Sequence, residues 1–186
     1  MFEHFYNKNV DATVEELMSA WIGQPNLSFL EIGSGEGSSA IGIIKTVLTE
    51  PSSKVTCVDK WDAAFSNGFF ADDFELNFDS NTQPYASQII KVKGDSATWL
   101  VNNQDKSFDF IYIDGDHLPE SVTLDADLSW DLLKVGGVMA FDDYEWDHPD
   151  GTDKNPKPAI DAWLAKHKNE IEIFCKGWQV WIKKTK

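Results

Sequence analysis

Phe29-Leu30-Glu31-Ile32-Gly33-Ser34-Gly35-Glu36-Gly37-Ser38-Ser39 is the stretch that decides the fold. An apolar run ends on an acid, glycine then takes every second position, and small residues open a helical pattern. That order predicts a strand, a tight turn and a helix start, with the turn stripped of side chains so that a ligand can touch backbone. Such a turn offers free N–H groups and the positive end of a helix dipole to an anionic group. The spacing narrows the choice of ligand. A dinucleotide fingerprint places glycines at the first, third and sixth positions, and counting from Gly33 the sixth position is Ser38. A tight strand-to-helix turn alone requires fewer than three alternating glycines.

Strand and helix patterns alternate on both sides of this turn. Residues 11–23 read as a helix capped by Asp11 or Thr13 and stopped by Gly23, and 27–32 as the first core strand. A helix over 38–48 follows, then strands over 54–59, 88–93 and 107–114. The spacing predicts a helix over 118–133 with Leu124, Leu128 and Leu132 on one face, and a fifth strand over 135–141 after a Gly136-Gly137 turn. A helix over 159–167 precedes two strands, 170–175 and 178–183, joined by Lys176-Gly177 as a hairpin. The expected architecture is α/β and Rossmann-like: a doubly wound, mostly parallel seven-stranded sheet with a C-terminal antiparallel hairpin. Residues 1–186 read as one domain, with 1–26 a helical extension and 61–87, rich in Phe, Asp and Asn, an insertion long enough for a lid. Ligands of such sheets bind beyond the carboxyl ends of the strands, and Glu31, Asp59, Asp114, Asp142 and Asp143 each end an expected strand.

Composition narrows the partners. The 186 residues are 42% hydrophobic and 25% charged, the balance of a chain that folds around its own core in the cytoplasm. No apolar run approaches the roughly 20 residues of a membrane helix, and residues 1–10 lack the basic-then-apolar order of a secretory signal. The formal net charge is −15, and all 16 positive residues are lysine. An acidic surface repels nucleic acid and anionic membrane. Without arginine there is also no bidentate fork for phosphate. The expected partner is a small molecule, with neither nucleic acid nor membrane, and a cationic cofactor such as a sulfonium meets no repulsion. The 145–158 loop or the hairpin edge leaves room for a homo-oligomer. Cys57 and Cys175 lie in apolar runs and read as buried thiols without zinc-site partners.

The acidic-x-Gly-x-Gly-x-Gly pattern at 31–37 resembles the first motif of class I S-adenosylmethionine-dependent methyltransferases. The resemblance implies that Glu31, Gly33, Ser34, Gly35, Gly37 and Ser38 surround the methionine end of that cofactor. Asp59, with Lys60 beside it, would meet the ribose hydroxyls, and Asp95-Ser96 the adenine. Ile111-Tyr112-Ile113-Asp114-Gly115-Asp116-His117 and Val135-Gly136-Gly137-Val138-Met139-Ala140-Phe141-Asp142-Asp143-Tyr144 resemble two hallmarks of a metal-dependent small-molecule and sugar O-methyltransferase subfamily. That likeness runs from about Leu27 through Lys183. It implies a divalent cation, magnesium above others, on Asp114, Asp142 and Asp143, with Asp114 also touching the cofactor and His117 acting as general base. The physics agrees: three acids at two neighbouring strand ends repel one another without a cation, and hard cations favour oxygen ligands. Imidazole titrates near neutrality, which suits proton removal from a hydroxyl.

Blander readings stand beside these. Asp95 can serve only its turn, Asp142 and Asp143 can cap or solvate a loop, and His117 can cap the helix beginning near Pro119. Asp116 is an outer partner of the site or a surface acid, and His4, His148 and His167 read as solvent-exposed, with His148 near enough to line the site. Among the eight tryptophans, Trp99, Trp130 and Trp163 fit helix faces, while Trp61 and Trp146 follow strand ends and could stack on a ring or pack in the rim. The competing functions are methylation without a metal, nicotinamide-dependent redox chemistry, and a cofactor-binding domain without turnover.

Overall fold

The computed structural model describes residues 12–62 and 74–186. The lid expectation for the middle of the 61–87 insertion, like His4 and Asp11, therefore lies outside the described residues. In chain order the elements are α1 Ala12–Ser19, β1 Ser28–Ile32, α2 Ser38–Thr46, β2 Lys54–Asp59, α3 Phe74–Thr82, β3 Ile89–Lys93 and α4 Ser96–Asn102. There follow β4 Phe108–Ile113, α5 Pro119–Trp130, β5 Leu133–Phe141, α6 Pro156–His167, β6 Ile171–Lys176 and β7 Val180–Lys184. The seven strands form one sheet in the order β3-β2-β1-β4-β5-β7-β6. The pairs from β3 to β5 are parallel, and β7 runs antiparallel to both β5 and β6. The Rossmann-like α/β expectation with its closing hairpin is what the chain adopts.

Alternation along the central strands sends side chains to two cores. Leu30, Ile32, Ile111, Ile113, Met139 and Phe141 point to one face, where Leu100, Val122, Ala126, Ile160 and Trp163 of α4, α5 and α6 cover them. Phe29, Phe110, Tyr112, Val138, Ala140 and Trp181 point to the other, under Met18, Ile43, Ile44 and Phe78 of α1, α2 and α3. Strands buried on both faces need near-continuous apolar runs, as in Phe-Asp-Phe-Ile-Tyr-Ile of β4. The edge strand β3 is guarded by Lys91 and Lys93, which pair with Glu75 of α3, while Lys91 also reaches Asp79 at 2.6 Å.

Four local expectations change. The segment that becomes α3 carried no helix expectation, because Phe-Glu-Leu-Asn-Phe-Asp-Ser-Asn-Thr is poor in helix formers, whereas Trp99 does lie on a helix, the seven-residue α4. Asp95 starts α4 as an N-cap, accepting from the Thr98 backbone N at 2.9 Å. The buried face of α5 is Val122, Asp125, Ala126 and Ser129, not the leucine row, and Leu124 is left 49% exposed. Gly136-Gly137 lies inside β5 at an irregularity of the β4–β5 register rather than before the strand, and a Cβ at Gly137 would sit 3.0 Å from the Asp109 carbonyl. His167 is buried rather than exposed, stacked on Trp163 at 4.2 Å. Both cysteines are buried and free. No helix among the described residues is long and apolar enough to cross a membrane.

Candidate active site

The strand order reverses between β2 and β4 on either side of β1, which opens a crevice beyond the carboxyl ends of these strands. There a cavity of about 840 Å³ is lined by the glycine turn, the ends of β2, β3 and β4, the first turns of α5, and Trp146 and His148 from the loop after β5. Gly33, Gly35, Asp59, Lys60, Asp95, Ser96, Asp114 and His117 all face it. Glu31 and Ser34 are buried beneath the turn, Gly37 is covered by Phe78 and Thr82 of α3, and Ser38 is exposed at the helix start.

The glycines serve different ends. A Cβ on Gly33 would lie 2.0 Å from the Asp114 carbonyl oxygen, so this position is bare because β1 and β4 converge there. Gly35 has φ +48° and open space around its missing Cβ. It is the glycine of the turn that leaves room for a ligand against backbone.

The Gly35 peptide is held from both sides. Its N–H donates to Asp59 Oδ2 at 2.9 Å, Asp59 Oδ1 accepts the Trp61 backbone N–H at 2.7 Å, and the Trp61 indole donates to the Gly35 carbonyl at 2.7 Å. The Trp61 ring packs on Phe78 at 4.7 Å and lies 4.9 Å from the Lys91 ammonium. Lys60 pairs with Asp95 at 3.0 Å. The capping hydrogen bond from Thr98, then Lys60, hold Asp95 below the usual carboxylate range.

Acids crowd the neighbouring region. Burial pushes Glu31 up to about 7, with the charge of Asp59 adding to it; Ser34, Cys57 and Ser39 pull the other way. No hydrogen bond of normal geometry reaches either Glu31 oxygen among the described residues. Asp114 is pushed well above its ordinary range by burial first, then by Asp142, Asp143, Glu31 and Asp59. Asp143, at φ +54°, is raised by burial and by Asp142, against the pull of His117 and of a hydrogen bond from Trp178 Nε1 at 3.1 Å. His117 Nε2 lies 3.2 Å from Asp143 Oδ2, and its ring meets Trp146 edge-to-face at 4.8 Å.

Ligand atoms of Asp114, His117 and Asp143 all lie within 4.8 Å of one another. The structure thus brings together two of the three expected metal ligands with the expected base, and Asp142 stands outside the group. Asp142 Oδ2 accepts from the Tyr112 hydroxyl at 2.5 Å and Oδ1 from the Asp143 backbone N at 2.8 Å. Asp116 accepts from Ser121 and from the Leu118 N–H, tying the turn that carries His117 to α5.

Three contributors escaped the sequence reading. Asp125 is buried, lines the cavity, accepts from Ser96 at 2.7 Å and is pushed up to about 6 by burial. Its place in the 122/125/126/129 spacing was the available signal. From the hairpin Trp178 reaches Asp143 and Gln179 reaches the Tyr112 hydroxyl, and no local pattern announces that.

A family model described as a methyltransferase domain matches residues 30–144. No curated protein matches the sequence. Among solved structures, an O-methyltransferase from Bacillus cereus in complex with SAH (S-adenosylhomocysteine) is 16% identical, with a TM-score of 0.66 over 96% of this chain and 84% of that one. MycE, a methyltransferase of the mycinamycin biosynthetic pathway seen with Mg, SAH and mycinamycin VI, is 16% identical at TM-score 0.63; 92% of this chain is covered and 48% of MycE, about half its length. A Clostridium thermocellum protein described as an rRNA-methylase is 12% identical, with a TM-score of 0.72 over 97% of this chain and 98% of that one. At these identities the likeness is one of fold.

Proposed function

The chain belongs to the methyltransferase-domain family whose model spans its residues 30–144, and from that premise we propose that it moves a methyl group from S-adenosylmethionine to a hydroxyl oxygen of a small molecule, with a divalent cation at the acceptor. The observation that carries this is the grouping of Asp114, His117 and Asp143, of which Asp114 and His117 line the same cavity as Gly35 and Asp59. The methionine end of the donor carries a sulfonium and an ammonium against one carboxylate, and the crowding of Glu31, Asp59 and Asp114 suits its net positive charge. Asp59 keeps free lone pairs for ribose hydroxyls while it holds the turn, and Lys60, Asp95 and Ser96 form the wall for the adenine.

The residues fit a cation. Two carboxylates and an imidazole within 4.8 Å of one another are a donor set for magnesium or manganese, and Asp114, raised first by burial, is raised further by Asp142, Asp143, Glu31 and Asp59. Asp114 and Asp143 would hold it, joined by Asp142 or by His117. When bound, the cation lowers the pKa of a substrate hydroxyl and stabilises the alkoxide. His117 Nε2 is turned to Asp143, so accepting the substrate proton requires that contact to open. Because displacement at the methyl carbon is in line, the rest of the pocket contributes alignment. The charge of −15 and the absence of arginine disfavour an RNA acceptor and favour sugars, polyols or phenols.

Calorimetry with SAH and with NAD tests the donor: SAH binding without NAD binding is expected, and no SAH binding defeats the reading. Methyl transfer from S-adenosylmethionine to a panel of sugars, polyols and catechols tests the rest. EDTA and Asp143→Ala should each lower it by roughly 100-fold, with magnesium restoring only the wild type. Activity that survives both makes the reaction metal-independent.

A further inference from the structure

A chain of buried hydrogen bonds runs from the hairpin to Asp142. The Trp181 indole donates to Gln179 Oε1 at 2.9 Å, Gln179 Nε2 donates to the Tyr112 hydroxyl oxygen at 3.0 Å, and that hydroxyl donates to Asp142 Oδ2 at 2.5 Å. Trp181, Gln179 and Tyr112 are 0%, 3% and 2% exposed, so water does not compete for these bonds.

Chemistry sets the direction. An indole only donates, so the Gln179 amide must turn its oxygen to Trp181 and its NH₂ to Tyr112. The Tyr112 oxygen receives that N–H and commits its single proton to Asp142. The Asp143 backbone N–H holds the second Asp142 oxygen at 2.8 Å, so the plane of the carboxylate is defined by two donors from different elements. Asp114 and Asp143 stand beside it, and like charges would otherwise drive a free aspartate side chain toward solvent.

We infer that Tyr112 and Gln179 are positioning residues that hold the Asp142 carboxylate at the edge of the acid group, where each of its oxygens keeps a second lone pair for a cation shared with Asp114 and Asp143. This rests on the metal-dependent reading above. It explains why an amide is buried in the turn before β7: an apolar residue there would remove the acceptor of the indole N–H and the donor to the tyrosine oxygen.

The test is Mn²⁺ titration of the full chain in the presence of SAH, followed by calorimetry and by the electron paramagnetic resonance of the bound ion, for wild type, Tyr112→Phe and Gln179→Met. A charge-assisted hydrogen bond is lost in the first variant, and Mn²⁺ affinity should fall about tenfold with SAH affinity unchanged. Gln179→Met should lower it by a smaller factor in the same direction, and the Mn²⁺ line shape at saturation should change in both. Wild-type Mn²⁺ binding with variant affinities within about twofold of it and the same line shape, whatever happens to the melting temperature, overturns the positioning role alone. Absence of Mn²⁺ binding by wild type that still binds SAH overturns the metal reading and this inference with it. Should Tyr112→Phe fail to fold, Gln179→Met decides between the same outcomes.

Discussion

The glycine turn and the acid group share one cavity but hold their polar atoms differently. At the turn, Gly35 N–H and C=O, Asp59 and Trp61 satisfy one another at 2.7–2.9 Å before any ligand arrives, and Lys60 pairs with Asp95 at 3.0 Å. At the acid group burial raises the proton affinity of Glu31, Asp114 and Asp143, and neighbouring acids add to it: Asp59 at Glu31, Asp142 at Asp143, and Asp142, Asp143, Glu31 and Asp59 at Asp114. One half is a preorganised backbone surface. The other stores electrostatic free energy that a cationic partner would release, which is how a site can favour a sulfonium and a metal without arginine or a dedicated loop.

The contrast can be broken first at its seam. Gly33→Ala places a methyl group against the Asp114 carbonyl and should destabilise the fold by roughly 3 kcal/mol or more, read by urea unfolding. Gly35→Ala, with open space but φ +48°, should cost only about 1 kcal/mol in stability while weakening SAH binding. Equal losses in the two variants would mean that the turn is uniform, against the division drawn here.

Glu31→Gln probes the stored repulsion. Below about pH 4.5 the carboxyl is protonated in folded and unfolded chains alike; above about pH 7 it is ionised in both, and the folded state bears the whole penalty. The Glu31 contribution therefore erodes stability as pH rises between those values. The variant should be more stable than wild type by about 2–3 kcal/mol at pH 8, with no advantage at pH 4 and with weaker SAH binding. An unchanged difference across that range would show that Glu31 carries no buried charge.

The smallest expected effect lies on the satisfied half. Trp61→Phe removes one neutral hydrogen bond to Gly35 and keeps a ring against Phe78, so SAH affinity should fall about fivefold, or ~1 kcal/mol, with the melting temperature nearly constant. A loss of 100-fold would place the ring against the cofactor rather than behind the turn.

How much of this was legible follows from the range of the forces involved. Strands and their ends could be read because apolar runs stop on Glu31, Asp59 and Asp114 and because a glycine turn has its own local signature. The α5 face was misread: leucine spacing pointed to Leu124 and Leu128, whereas Asp125 turns inward to Ser96 and the small Ser129 is buried with no hydrogen bond of normal geometry to its hydroxyl among the described residues. His167 looked like a terminal surface residue and is instead buried against Trp130 and Trp163.

The sequence by itself determined the α/β class, the seven strands, the glycine turn and the acids at strand ends, since each depends on residues within a few positions of one another. Tertiary structure alone decided that His117 faces Asp143, that Asp142 answers to Tyr112, and that Trp178 reaches Asp143 and Gln179 reaches Tyr112 from the hairpin. Those pairings depend on strands packing side by side across 26 to 67 residues of sequence, and the energy that selects them belongs to the assembled sheet.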